Sequence, residues 1–148
     1  MRIVEVTYRT PDLLNRLLEV WESSVRATHL FLSNDEIKSI KKYVPQALND
    51  ITHLIIAKDE AGSPVAFMGI EDGTLEMLFI SPEEQGKGLG KRLIQYGIAN
   101  YAVERLAVNE QNPQAKGFYE YMGFRAYKRT DLDEQGNPYP ILYMELSH

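Results

Sequence analysis

The chain has 148 residues, enough for one ordinary domain and too few for two full-sized ones. Hydrophobic residues make up 44% and charged residues 25%, a globular composition that excludes disordered and fibrous classes. Lys and Arg number 16 against 21 Asp and Glu, a net charge of -5 that argues against a nucleic-acid or anionic-membrane surface, and the lack of cysteine excludes disulfides, thiolate metal sites and a cysteine nucleophile.

The N-terminal MRIVEVTYRT alternates apolar and polar residues, so it predicts a strand holding Ile3 and Val6 and not a signal-peptide core. Nowhere does an uncharged apolar run approach the ~18 residues of a membrane helix, so the expected compartment is the cytoplasm, with no membrane partner. Thr10-Pro11 predicts a helix start, with Thr as cap and Pro where a missing N–H costs nothing. Leu13, Leu14, Leu17, Leu18, Trp21 and Val25 then share one helical face. Ser33 and Glu36 have the spacing of a capping box and open a second helix through Ile37 and Ile40, which Pro45 ends or bends.

From His53 the period changes to that of strands. Residues 53–58 and 65–70 read as a hairpin around Asp59-Glu60-Ala61-Gly62. After the turn at Asp72-Gly73, residues 75–80 form a strongly apolar strand, expected to be buried on both faces. Residues 81–90 form a loop, followed by a helix to about Tyr101 and a short strand at 105–108. Asn112-Pro113 opens a further helix, which Gly123 closes in the left-handed conformation. Residues 124–128 and 141–146 pair as a last hairpin around Gln135-Gly136-Asn137-Pro138. The order β-α-α-β-β-β-α-β-α-β-β suits a mixed sheet covered by helices.

Two segments carry chemistry. Gln85-Gly86-Lys87-Gly88-Leu89-Gly90-Lys91 lies between the apolar strand and a helix. Its glycines allow positive φ and close approach of a ligand, and the helix start offers unpaired N–H groups and partial positive charge. That combination suits a phosphate, with Lys87, Lys91 and Arg92 nearby; the alternative is a glycine-rich turn with solvated lysines. A Walker loop has four residues between its glycines and then Lys and Ser/Thr, whereas three separate Gly86 from Gly90 and Arg92 follows Lys91. The G-x-G-x-x-G dinucleotide fingerprint fails too, because this loop reads G-x-G-x-G. In the second segment Tyr119 follows Asn112 by seven residues, two turns, so both lie near one helix face with the small Ala115 between them. By itself this also reads as an ordinary apolar stripe of Ala115, Phe118, Tyr119 and Met122.

Together the segments resemble the GNAT superfamily of acyl-CoA N-acyltransferases. Gln85, Gly88 and Gly90 match its Gln/Arg-x-x-Gly-x-Gly/Ala loop. Asn112, Ala115, Phe118, Tyr119, Gly123 and Phe124 match every position of its Asn-x-x-Ala-x-x-Phe-Tyr-x-x-x-Gly-Phe segment. The element order agrees over essentially the whole chain. WESSVRATHLFL (residues 21–32) and NPYPIL (residues 137–142) further resemble the small, stand-alone YjaB-like bacterial members. The resemblance implies one N-acetyltransferase domain over residues 1–148. Its fold would be α+β, layered α/β/α, on a mixed, mostly antiparallel sheet of about seven strands, with the fourth and fifth parallel and splayed.

It also implies acetyl-CoA as co-substrate and an amine as acceptor, with no metal. The amides of residues 85–91, including Leu89, would bind the CoA pyrophosphate. The main chain of Leu78, Phe79 and Ile80 would hold the pantetheine arm as an added strand, with Asn112 beside it. A backbone N–H near Leu78 or Phe79 would polarise the thioester carbonyl. Tyr119 matches the family's general acid to the departing thiolate. A phenol near pKa 10 facing a thiol near 8.5 is mismatched by ~1.5 units, about 2 kcal/mol.

A lysine-like amine needs ~3.4 units of deprotonation at pH 7, about 4.6 kcal/mol, so a base would help. Glu76, on the apolar strand and the same face as Leu78 and Ile80, is a candidate base acting through water; a solvent-facing or ion-paired Glu is the alternative. His29 is a candidate substrate residue, with packing under the helix as its alternative. His53 and His148 read as structural or solvated, and no metal-ligand spacing is visible. Monomer and homodimer both remain open. So do two rival classes: a non-catalytic acyl-CoA-binding regulatory module on the same fold, and a nucleotide-phosphate binder.

Overall fold

Alternating apolar residues build one seven-stranded sheet, and the amphipathic segments between them cover both its faces. The computed structural model describes residues 1–147; His148 lies outside the described residues. In chain order the elements are β1 (Arg2–Glu5), α1 (Pro11–Thr28), α2 (Asn34–Lys41), α3 (Val44–Asp50), β2 (His53–Lys58), β3 (Pro64–Glu71) and β4 (Thr74–Ile80). A single 3-10 turn (Pro82–Glu84) follows, then α4 (Leu89–Tyr101), β5 (Arg105–Asn109), α5 (Pro113–Tyr121), β6 (Phe124–Thr130) and β7 (Ile141–Leu146). The strand order is β1-β2-β3-β4-β5-β7-β6, and among the described residues β4–β5 is the one parallel pair. A parallel pair needs a crossover, and α4 supplies it.

The helix starts follow the side-chain chemistry. Thr10 Oγ1 accepts from the Leu13 N–H at 3.2 Å. Ser33 and Glu36 form a reciprocal capping box at 3.1 and 2.9 Å. Asn112 Oδ1 accepts from the Ala115 N–H at 3.2 Å. Pro45 was expected to end or bend the second helix; it also occupies the first turn of a separate helix, α3, which the sequence pattern did not mark. Proline's fixed φ suits a first turn as well as it disrupts an interior.

One sheet face packs on α1, α2 and α3 through Leu17, Trp21, Ile37, Leu48, Leu54 and Phe67. The other packs on α4 and α5 through Ile55, Met68, Leu93, Ile94, Phe124 and Met144. Both faces of β2 and β3 are therefore buried. The expectation that β4 would be the doubly buried strand is corrected: Leu75 is buried, but Leu78, Phe79 and Ile80 are only half-buried.

The cause is a bulge. Gly69 pairs with Met77 but Ile70 pairs with Leu75, which leaves Glu76 as an extra residue on β4. Bulges bend a strand and increase its twist. The pairing of β4 with β5 runs only through Thr74↔Arg105 and Leu75↔Leu106, so the strands part where the bulge begins. The bulge also breaks the alternation. Leu75, Leu78 and Ile80 face the α4 side and Met77 and Phe79 the α1 side, so Glu76 does not share the face of Leu78 and Ile80 as expected. Among the described residues no helix is long and apolar enough to cross a membrane.

Candidate active site

The loop after β4 has the geometry its glycines allow. Gly86 and Gly88 sit at φ +77 and +82, the left-handed region where a side chain is strained. Gly88 is the residue before the first turn of α4, and it has no side chain to cap that turn. The N–H groups of residues 86–91 donate to no acceptor among the described residues. These open amides, at the positive end of a helix dipole, form an anion site. Gln85 Nε2 donates to the Ile80 carbonyl at 3.3 Å and ties the loop to the end of β4. Leu89 is buried and anchors the helix start.

A groove of about 440 Å³ runs from this loop along β4. Leu78, Phe79 and Ile80 form one wall, and Asn112, Ala115 and Tyr119 of α5 form the other. Gln85, Gly86, Gly88, Leu89, Gly90 and Lys91 all border it. The Lys87 side chain does not; it lies 4.0 Å from Glu84. Where β4 and β5 part, a gap of about 230 Å³ opens, lined by Glu76, Leu78, Phe79, Val108, Asn112 and Tyr119 among others. A third cavity of about 570 Å³ lies between the end of α1, α2 and the β6–β7 loop. It is aromatic and acidic, with Trp21, Phe31 and Tyr139 beside Asp35, Glu36 and Asp133. His29 and Phe79 border all three spaces.

Tyr119 makes no hydrogen bond through its hydroxyl among the described residues. No sealed side-chain polar atom lacks a partner there either, so that hydroxyl opens to the groove. Burial pushes its phenol well above the ordinary value of 10, so it is fully protonated at neutral pH. The same shift makes it a weaker acid toward a thiolate than the ordinary values imply.

Glu76 is exposed, and it borders the gap on one side and a shallow cavity with Met77 and Ile51 on the other. Partial burial, then Glu134 and Glu71, raise its carboxyl above 4.5. His29 is half-buried, and burial lowers its imidazole below 6.5. The structure brings Tyr119, Asn112, the glycine loop and His29, for which packing under the helix was the alternative, to the lining of one groove. Of the third cavity's lining, the sequence marks His29 and Phe79 as site residues but not Asp35, Glu36 or Tyr139. Glu36 had been explained by the capping box, yet its other carboxylate oxygen accepts from the Tyr139 hydroxyl across the cavity.

Comparison with known proteins agrees with this architecture. A family model described as an acetyltransferase (GNAT) domain matches residues 22–145. The chain is 38% identical over 127 residues to the peptidyl-lysine N-acetyltransferase YjaB of Salmonella typhimurium, covering 86% of this chain and 87% of that one. The solution structure of apo YjaB from Escherichia coli superposes with a TM-score of 0.86 at 35% identity, covering 98% and 97% of the two chains. The PaiA N-acetyltransferase of Thermoplasma acidophilum, solved with coenzyme A, shares the fold with a TM-score of 0.73 at 24% identity, over the whole of both chains. A family match over most of the chain and a relative this similar over most of its length mean that the chain belongs to the GNAT family of N-acetyltransferases.

Proposed function

We propose that the enzyme moves the acetyl group of acetyl-CoA directly to the side-chain amine of lysine in a peptide or protein. The observation that carries this reading is the meeting of the three spaces at His29 and Phe79. An anionic thioester carrier and a cationic acceptor need separate entrances that converge. The groove with its open amides suits the carrier. The cavity with Asp35, Glu36 and Asp133 suits an ammonium on an apolar stem, which aromatic rings can flank. The relatives named peptidyl-lysine N-acetyltransferase support the same acceptor.

In this reading the amides of residues 86–91 hold the pyrophosphate and Lys91 adds charge at the rim. The unpaired edge of β4 from Leu78 to Ile80 takes the pantetheine arm as an added strand, with Asn112 opposite. A β4 backbone N–H at Leu78 or Phe79 polarises the thioester carbonyl. The amine attacks the carbonyl carbon, the C–N bond forms, the C–S bond breaks, and the Tyr119 hydroxyl gives its proton to the leaving sulfur. Glu76 borders the gap from the bulge and is one source of a base through water.

The test is incubation of the protein with acetyl-CoA and a lysine-containing peptide, reading free CoA thiol and peptide mass. The expected result is CoA release that needs the peptide, matched by one added acetyl group per thiol released. Acetyl-CoA binding without acetylation of any peptide or small amine would overturn the proposal.

A further inference from the structure

His29 ends α1 as its C-cap, and its ring is held between Phe31 and Phe79, with ring centroids at 5.5 and 6.3 Å. Nδ1 lies 2.8 Å from the Thr28 hydroxyl oxygen. That hydroxyl donates its single proton to the Ser24 carbonyl at 2.8 Å. With that proton on the carbonyl, the hydroxyl meets the ring through a lone pair, which assigns the contact as Nδ1–H to Thr28 Oγ1. The imidazole is therefore fixed with its proton on Nδ1 and its lone pair on Nε2.

Nε2 makes no hydrogen bond among the described residues, and no sealed side-chain nitrogen there lacks a partner. Nε2 thus opens to free space, and the space around His29 is the junction of acceptor cavity, groove and gap. Tyr119 borders two of the same three spaces. A histidine that served packing alone would need neither a fixed tautomer nor an open lone pair at this junction.

We infer that Nε2 of His29 is the general base of the reaction, taking the proton from the acceptor nitrogen as it attacks the thioester. The inference rests on the acetyl-transfer reading. The acceptor arrives as an ammonium and loses two protons in all. One reaches solvent when the free amine forms, and Nε2 takes the other as the C–N bond forms. The C–S bond breaks, Tyr119 protonates the sulfur, and the imidazolium then returns its proton, through water, to the phenolate. The balance is ammonium plus acetyl-CoA giving amide, CoA thiol and one released proton.

Imidazole is the stronger candidate by its place. At ordinary values a carboxylate is about 2 units less basic than imidazole, a difference that the raised Glu76 and the lowered His29 narrow, so place decides between them. Glu76 is exposed and sits on the bulge, away from the acceptor cavity. Burial keeps His29 neutral at pH 7, which leaves the lone pair free. Other ionisable groups face these spaces: Asp35 and Glu36 from α2, Tyr43 before α3, Asp133 and Tyr139 from the β6–β7 loop, Glu76 from β4, Glu84 from the 3-10 turn, Lys91 from the start of α4, and Tyr119 and Tyr121 from α5. A pH profile of the wild type alone would mix them, so variants carry the test.

His29→Asn keeps an N–H for Thr28 but removes the basic nitrogen. It is expected to lower kcat on a lysine peptide by at least ~100-fold, the usual range for a lost general base. Acetyl-CoA affinity by titration should stay at the wild-type value. A comparable loss is expected with a weakly basic amine, already deprotonated at neutral pH, because the proton that Nε2 takes is the one lost as the C–N bond forms. Added imidazole should restore part of the turnover of His29→Ala. Long-range 1H–15N spectra of the wild type should show the proton on Nδ1.

Wild-type kcat in His29→Asn, a loss confined to the strongly basic amine, no rescue of His29→Ala by imidazole, or a proton found on Nε2 would each overturn the inference. A wild-type protein that acetylates no amine would overturn the acetyl-transfer reading and the base together. An active wild type that is slowed by Tyr119→Phe but not by His29→Asn would overturn the base alone.

Discussion

Tyr119 shows how far one residue can be read from a sequence. Its spacing from Asn112 put both on one face of α5, and the structure places both on the groove and the gap. What spacing could not give is the environment: burial raises the phenol, so its value as an acid depends on the charge that develops at the sulfur and not on an ordinary pKa match. The Phe variant keeps the ring and its packing on Phe118 and Phe124, centroids 5.3 and 6.2 Å away, and removes only the hydroxyl. Tyr119→Phe is therefore expected to fold normally, to bind acetyl-CoA as the wild type does, and to lose at least ~100-fold in kcat, as removal of a general acid does. Steady-state kinetics with the lysine peptide check it, and an unchanged kcat removes Tyr119 from the acid role. His29 was harder to read. Sequence placed it near the substrate, but its tautomer depends on a neighbouring hydroxyl already bonded to a carbonyl one turn back, which no spacing rule reports.

The helices and the glycine loop were legible because their signals are local. Thr10-Pro11, Ser33 with Glu36, and Asn112-Pro113 each cap the helix that they predict. The exceptions lie where a local signal has two readings or a signal is not local at all. Pro45 can end one helix or start another, and here it lies in the first turn of α3, whose Val44 and Leu48 are buried in the core. The bulge at Glu76 is a matter of register between β3 and β4, and the apolar run 75–80 reads the same with or without it. Yet that bulge opens the gap between β4 and β5, so the feature that makes the site was the one least visible in sequence. The capping box of α2 carries Glu36 to its bond with Tyr139, which links α2 to the β6–β7 loop over the third cavity, the one proposed for the acceptor. Ser33→Ala should cost about 1 kcal/mol of stability, the usual value for a lost N-cap. It should also raise KM for the peptide more than KM for acetyl-CoA. Urea unfolding and kinetics measure the two effects; an unchanged urea midpoint would show that the cap contributes nothing.

Across the molecule, two layers of helices clamp the sheet, and ionisable groups set how the assembly responds to acid. Burial holds His29 below 6.5, so the unfolded chain takes up this proton first as pH falls. The stability from a neutral His29 is complete above 6.5 and is lost as pH falls through the lowered folded value. Glu5 is held below 4.5 first by the Tyr101 hydroxyl and then by His53, which ties β1 to β2 and to the end of α4. Its contribution is present above 4.5 and is lost as pH falls through its own lowered value. Both signs agree, so acid should destabilise the fold in two stages, and His29→Asn should remove the upper one. Urea midpoints measured across pH test this; a stability that rises on acidification would contradict it. In the proposed function, the fold turns an acidic chain into a binder of one anion by using amides in place of a basic surface. A crystal structure of the acetyl-CoA complex tests that claim most directly. The pyrophosphate should lie on the N–H groups of residues 86–91 and the thioester in the gap beside Tyr119, facing the acceptor cavity. A nucleotide bound elsewhere, or a thioester directed away from Tyr119, would contradict it.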